Sequence, residues 1–192
     1  MHESANSHLT ELLNQGFGGD AVARDRAFAL VYDELRRTAA AQMGSGRDNA
    51  TLSPTGLVNE AYLKLVSGAQ LALNDRGHFF ALAARAMRQL LIDQQRLKQT
   101  NKHGGAAQRV EIGDDLVDAA ADPVDYLDLD RALQALDAID PRAAKVVELH
   151  FFAGLNFMEI AELLAVADKT VRRDWNSARA FLLARIALPD VP

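Results

Sequence analysis

Hydrophobic residues recur along the chain at the three- and four-residue spacing of amphipathic helices, and the sustained alternation typical of strands is almost absent. The pattern predicts helices over about 23–43, 53–67 and 78–98. Gly44-Ser45-Gly46 and Gly104-Gly105 mark breaks between or after them. Helical spacing resumes later in the chain and continues almost to its end. We therefore expect an all-α fold.

An acidic stretch separates two helical segments. Eight acidic residues and no basic residue lie between Val110 and Asp130, and Pro123 interrupts any helix there. We predict four parts from this change in composition. They are an N-terminal tail over 1–23, a helical domain over 24–108, an acidic linker over 109–128 and a second helical domain over 129–188.

The segment from Asn156 to Leu182 carries the strongest local signal. Asn156 and Glu159 have capping-box spacing, and a short turn at 165–167 leads into the last helix. Two helices joined by so short a turn predict a helix-turn-helix. Its inward stripe is predicted to be Val171, Trp175, Ala178 and Leu182. The remaining outward side chains suit contacts with phosphates and base edges, and they are Lys169, Thr170, Arg172, Arg173, Asn176 and Arg179.

Charge changes the picture because the formal net charge of −5 conceals two basic segments. Residues 76–109 contain seven basic residues and one acid, and residues 168–185 contain five basic residues and two acids. Local potential rather than total charge attracts a polyanion, so this segregation favours nucleic-acid binding. Solvated helix faces joined by a tether are the alternative interpretation.

Motifs in both halves resemble the extracytoplasmic-function (ECF) class of bacterial RNA polymerase sigma factors. Residues 154–164 and 169–175 resemble the promoter-reading domain of that family, and Arg173-Asp174-Trp175 resembles one of its subgroups. Residues 57–65 resemble its polymerase-binding helix, and residues 79–93 resemble the helix that meets and opens a promoter element. The two resemblances occur in the order that the family has.

The resemblance implies a protein without catalysis that binds core RNA polymerase and promoter DNA and directs transcription initiation. It assigns polymerase binding to Leu57, Val58, Asn59, Glu60, Tyr62 and Lys64. It assigns the proximal promoter element to Arg85, Arg88, Gln89, Asp93, Arg96, Lys98 and Lys102. The distal element falls to the outward residues of the helix-turn-helix. Many relatives are held by an anti-sigma factor, and the sequence leaves open whether this chain has one.

Several residues keep two interpretations. Phe79 and Phe80 could stack on bases, but such aromatic residues usually belong to the core. Asp93 could accept a hydrogen bond from cytosine, or it could orient Arg88 or Arg96. The acidic linker is either a self-repelling spacer or a mimic of RNA in the polymerase channel.

The turn before the last helix departs from the family pattern. Ala165 replaces a frequent turn glycine, and Ala167 replaces a frequent capping serine. We expect Asp168 to supply the cap one residue later, which would shift the start of the recognition helix.

Other classes fit less well. There is no cysteine, no His-Glu-x-x-His motif and no glycine-rich phosphate loop, so we expect no catalytic residue, metal or cofactor. No apolar run approaches the roughly 20 residues of a membrane span, so we expect a cytoplasmic protein without membrane insertion. A stand-alone helix-turn-helix transcription regulator is the alternative function.

Overall fold

The computed structural model describes residues 2–43, 52–67, 76–101, 109–110 and 124–187. Apart from one pair of two-residue strands, its regular structure there is helical, as predicted. The N-terminal helical segment contains α1 (His2–Phe17), α2 (Ala21–Met43), α3 (Pro54–Ser67) and α4 (Arg76–Asn101). The second contains α5 (Tyr126–Ile139), α6 (Pro141–Val147), a π-helical turn (Glu148–Phe152), α7 (Phe157–Leu164) and α8 (Asp168–Ala187).

The predicted N-terminal tail over 1–23 differs from the structure, because most of it forms α1. Leu9, Leu12 and Leu13 of α1 are buried and join the hydrophobic core. Their three- and four-residue spacing places them on one side of the helix, which packs on α2. The segment therefore packs with the helices that follow it.

Helices α3 and α4 follow the predicted pattern closely. The Ser53 hydroxyl accepts a hydrogen bond from Gly56 N at 3.0 Å, so the N-terminus of α3 is capped as the Ser-Pro pair predicts. In α4 the side chains of Phe79 and Phe80 are buried, with their rings 5.5 Å apart and edge to face. These two aromatic residues are core residues in this structure, which leaves them unavailable for stacking on bases.

The end of the predicted linker is structured. β1 (Arg109–Val110) pairs antiparallel with β2 (Val124–Asp125), and α5 starts directly afterwards at Tyr126. Asp125 caps α5, since its side chain accepts from Leu127 N at 2.7 Å. Helix α5 thus begins before the predicted boundary at residue 129. Residues 111–123 of the linker lie outside the described residues.

The turn into the last helix uses an alanine in place of glycine. The predicted capping box of α7 is present, with Asn156 and Glu159 each accepting from the other's backbone. Ala165 has a φ of 52°, a left-handed conformation that glycine adopts more easily. The expected shift at Asp168 is wrong. Ala167 O accepts from Val171 N at 3.2 Å, so Ala167 holds the cap position and α8 starts at Asp168.

The two helical segments share one hydrophobic core. Its buried residues come from α1 to α4 and from α5 to α8, and they form a single cluster. Helix α4 packs against both α5 and the π-helical turn, and α2 also touches that turn. One side of α4 therefore faces the second domain rather than solvent.

Candidate nucleic-acid interface

The outward side of α8 is a basic surface on a buried stripe. Val171, Trp175, Ala178 and Leu182 are at most 2% exposed, which confirms the predicted inward stripe. The predicted outward residues all retain exposure: Lys169, Arg172, Arg173 and Asn176 are exposed, and Thr170 and Arg179 are half-buried. The helix can therefore present cations and polar groups to a ligand while its buried stripe keeps it packed on the core.

Arg172 is held at the N-terminal end of this surface. Its Nε donates to Asp168 Oδ2 at 2.7 Å, one turn earlier in α8. Its guanidinium carbon lies 5.1 Å from the ring centroid of Phe157 in α7. The side chain is still 56% exposed. Asp168 thus orients an arginine instead of capping the helix.

Asp174 connects α8 to the start of α6, a role that the sequence did not reveal. Arg142 Nε donates to Asp174 Oδ2 at 2.6 Å, and Arg173 Nη2 lies 3.4 Å from Asp174 Oδ1. Burial raises the pKa of Asp174, but hydrogen bonds and charge from Arg142 and then Arg173 outweigh it, so the pKa lies below its usual value. Arg142 follows a helix-capping Asp-Pro pair, and only its distance in sequence concealed its partner.

His150 belongs to the anchor of the helix-turn-helix. Its Nδ1 lies 2.7 Å from Leu155 O, and its ring centroid is 4.6 Å from those of Phe157 and Trp175. Within the described residues, no group of three or more acidic or histidine side chains is placed to hold a metal ion.

The predicted basic surface of α4 is divided by the second domain. Arg85, Gln89, Asp93 and Arg96 are exposed. Arg88 differs from them, because it forms ion pairs with Asp130 and Glu148 and its side chain is only 15% exposed. Its contact with the proximal element stays a prediction. Lys102 and the side chain of Lys98 lie outside the described residues.

Asp93 lies within a local cluster of charges. Its carboxylate is 3.8 Å from both Arg96 Nη1 and Lys64 Nζ, and it accepts from Gln89 Nε2 at 2.9 Å. The predicted pairing of Asp93 with Arg96 is therefore present. Lys64 also ties α3 to α4 at this point.

Comparison with known proteins decides among the functions that this geometry allows. A model of the ECF sigma factor family matches residues 6–187, which include both basic helices and the segment between them. The chain belongs to the ECF sigma factor family. No curated protein matches it in sequence.

The match gives this sigma factor its function. ECF sigma factors bind core RNA polymerase and promoter DNA, so the protein is a transcription factor rather than a typical enzyme. No observation favours the alternative function, a stand-alone helix-turn-helix transcription regulator. Among the described helices, none is long and apolar enough to cross a membrane.

The predicted polymerase-binding helix of the sigma factor divides into two sides. Leu57 and Val58 are at most 1% exposed and lie in the core of this structure. Their contact with polymerase stays a prediction. Asn59, Glu60 and Lys64 are exposed. Sequence reasoning omitted Leu63, which is 56% exposed on the same helix. The signal that could have identified Leu63 in the sequence is its position on the polar side of the helix, beside Asn59, Glu60 and Lys64.

Tyr62 is fixed against α2 rather than projecting to solvent. Its hydroxyl donates to Asp25, and its ring stacks on Phe28 with centroids 4.1 Å apart. Burial and then the hydrogen bond to Asp25 raise the pKa of Tyr62. Tyr62 therefore shapes the surface of α3 more than it extends from it.

Proposed function

We propose that the two basic helices divide promoter recognition between them. The outward residues of α8 read the distal element as duplex, and the exposed residues of α4 hold the proximal element. The main support for this proposal is the position of Arg173, whose side chain is 69% exposed above a buried stripe. An α-helix fits the major groove, and arginine there can reach paired acceptors on guanine.

The same proposal gives α3 the contact with core polymerase. Support comes from three exposed residues of mixed character, Glu60, Leu63 and Lys64. An exposed leucine beside charged groups is typical of a protein interface with a small apolar centre and a polar rim. The Arg-Asp-Trp sequence in α8 further suggests one subgroup of the family.

Two further assignments complete the proposal. We infer a cytoplasmic location, because the polymerase that the protein serves acts on bacterial DNA. An anti-sigma factor would have to cover α3, α4 or α8, since these helices carry the surfaces assigned above.

Transcription with purified core polymerase over a library of genomic fragments tests the division of labour. Replacing Arg173 with alanine should weaken use of the preferred promoters by about 5- to 150-fold, corresponding to about 1–3 kcal/mol, and should relax preference at one position of the distal element. Arg96→Ala should instead weaken binding of the proximal element. Arg131→Ala is the matched control, because this exposed arginine of α5 pairs with Asp128. Equal loss at every promoter position would contradict the proposal.

A further inference from the structure

Two carboxylates of α8 each hold an arginine beside that helix. Asp168 holds Arg172 of α8 itself, whereas Asp174 holds Arg142, the second residue of α6. Arg142 donates from Nε to Asp174 Oδ2 at 2.6 Å and from Nη2 to Asp174 Oδ1 at 3.3 Å. This bidentate pair fixes a guanidinium next to α8, although α6 carries none of the residues that the resemblance assigns to DNA.

The two held arginines lie on opposite sides of α8. Val171 and Trp175 belong to the same buried stripe, and successive residues of an α-helix are rotated by about 100°. Arg172 follows Val171 by one residue, and Asp174 precedes Trp175 by one residue. Their side chains therefore leave the stripe in opposite directions, and Arg142 lies on the side of Asp174.

Arg173 completes a row of three arginines across the width of α8. It lies two residues before Trp175, so the helical repeat places it opposite the buried stripe. The side chains of Arg172, Arg173 and Arg142 are 56%, 69% and 47% exposed. Asp174 is buried and pairs with both Arg142 and Arg173, so these three side chains together keep one net positive charge.

Arg142 retains a side on which it can meet another anion. Its pair with Asp174 uses Nε and Nη2, which leaves Nη1 outside the pair. Asp140 also lies near Arg142, but its side chain caps the N-terminus of α6. Because the pair with Asp174 already orders the arginine, binding a phosphate would cost little further side-chain entropy.

The arrangement fits duplex DNA. An α-helix with its side chains is about 10–12 Å across, and the major groove of B-DNA is about 12 Å wide. When the outward side of such a helix faces the base edges, its two flanks face the phosphates of the two strands. Cations on both flanks of α8 can therefore contact both strands at once.

We propose that Arg142 binds a backbone phosphate of the distal promoter element, on the strand opposite to the one that Arg172 meets. The proposal rests on the proposed reading of that element by α8, and it extends the site from one helix to two. Arg142 supplies affinity and register without sequence preference, because phosphate contacts carry no direct information about the bases. Base preference remains with Arg173.

The salt dependence of DNA binding separates this contact from a purely structural ion pair. Arg142→Ala alone would remove one partner of the buried Asp174, so the variant is R142A/D174N and the reference is D174N. The full chain with core polymerase binds the pool of genomic fragments between about 50 and 200 mM salt. R142A/D174N should lose about one unit of the slope of log affinity against log salt. Its affinity at about 0.1 M salt should fall about eightfold, for strong and weak fragments alike.

Two controls in the same D174N background test the role of charge. R142K/D174N should keep the slope of D174N, because lysine also neutralises a phosphate. R131A/D174N should keep it as well, since Arg131 is an exposed arginine of α5 that pairs with Asp128. The contact is overturned if R142A/D174N has the same slope as D174N. It is also overturned if R142K/D174N loses as much slope as R142A/D174N, because packing would then explain the loss.

The order in which the fragments bind distinguishes failure of this contact from failure of the proposed function. R142A/D174N should rank the fragments as D174N does, whereas Arg173→Ala should change their order. An unchanged slope for R142A/D174N, together with a changed order for Arg173→Ala, overturns the contact of Arg142 and leaves α8 as the reader. An unchanged order for Arg173→Ala overturns the reading by α8, whatever the slope of the Arg142 variants.

Discussion

Helices α4 and α8 each carry a row of arginines, and they differ in what lies opposite those arginines. In α8 the side chains of Arg172 and Arg173 are 56% and 69% exposed, and the acids they contact belong to α8 itself. In α4 the side chain of Arg88 is 15% exposed, and both its partners come from the second domain. The comparison shows that two helices with similar sequence patterns can differ in the exposure of their arginines, because a distant segment covers Arg88 of α4.

The largest effect that tests this comparison is the loss of stability expected for Arg88→Ala. Removal of the guanidinium leaves Asp130 and Glu148 facing each other without a cation, which should lower the free energy of unfolding by about 3 kcal/mol. Urea unfolding measures the change. Arg173→Ala should alter stability by only about 0.5 kcal/mol, because its side chain is exposed. Equal losses for the two variants would remove the distinction between the helices.

Sequence spacing predicted which residues share a helix face, because that depends on the 3.6-residue repeat alone. The buried stripe of α8, the capping box of α7 and the Ser-Pro start of α3 all follow from neighbouring residues. What it could not predict depends on residues far apart in the chain. Arg88 meets Glu148 across 60 positions, and Arg142 meets Asp174 across 32.

Within α4 the same limit applies to polar residues. The helical repeat places Gln95 on the inner side, where its Nε2 lies 3.2 Å from Asp125 Oδ2 at the start of the second domain. Leu97, two residues further along the same helix, is 51% exposed. The side of α4 that is covered was therefore set by the docking of the second domain as well as by hydrophobic spacing.

A smaller effect is expected at the turn that sets the direction of α8. Ala165→Gly removes the steric strain of a left-handed alanine and should raise the free energy of unfolding by about 1 kcal/mol. Thermal unfolding measures the gain. Ala180→Gly provides the opposite case, because this exposed position lies inside α8 and glycine there should cost about 1 kcal/mol. A loss at both positions would mean that the turn tolerates alanine without strain.

The smallest effect concerns the internal carboxylate of α8, and it depends on pH. Because the folded protein holds the pKa of Asp174 below its usual value, the stabilisation by Arg142 should be complete above the unfolded pKa of about 3.9 and should disappear as the pH falls through the folded pKa. Asp174→Asn should therefore be less stable than the wild type near neutral pH, and the difference should shrink in acid. Urea unfolding at several pH values measures this difference, with D33N as the exposed control. A deficit that persists unchanged at the lowest pH would show that Asp174 acts through packing and not through its charge. Arg173 of α8 would then owe its position to the shape of the helix, whereas Arg88 of α4 would still depend on charge.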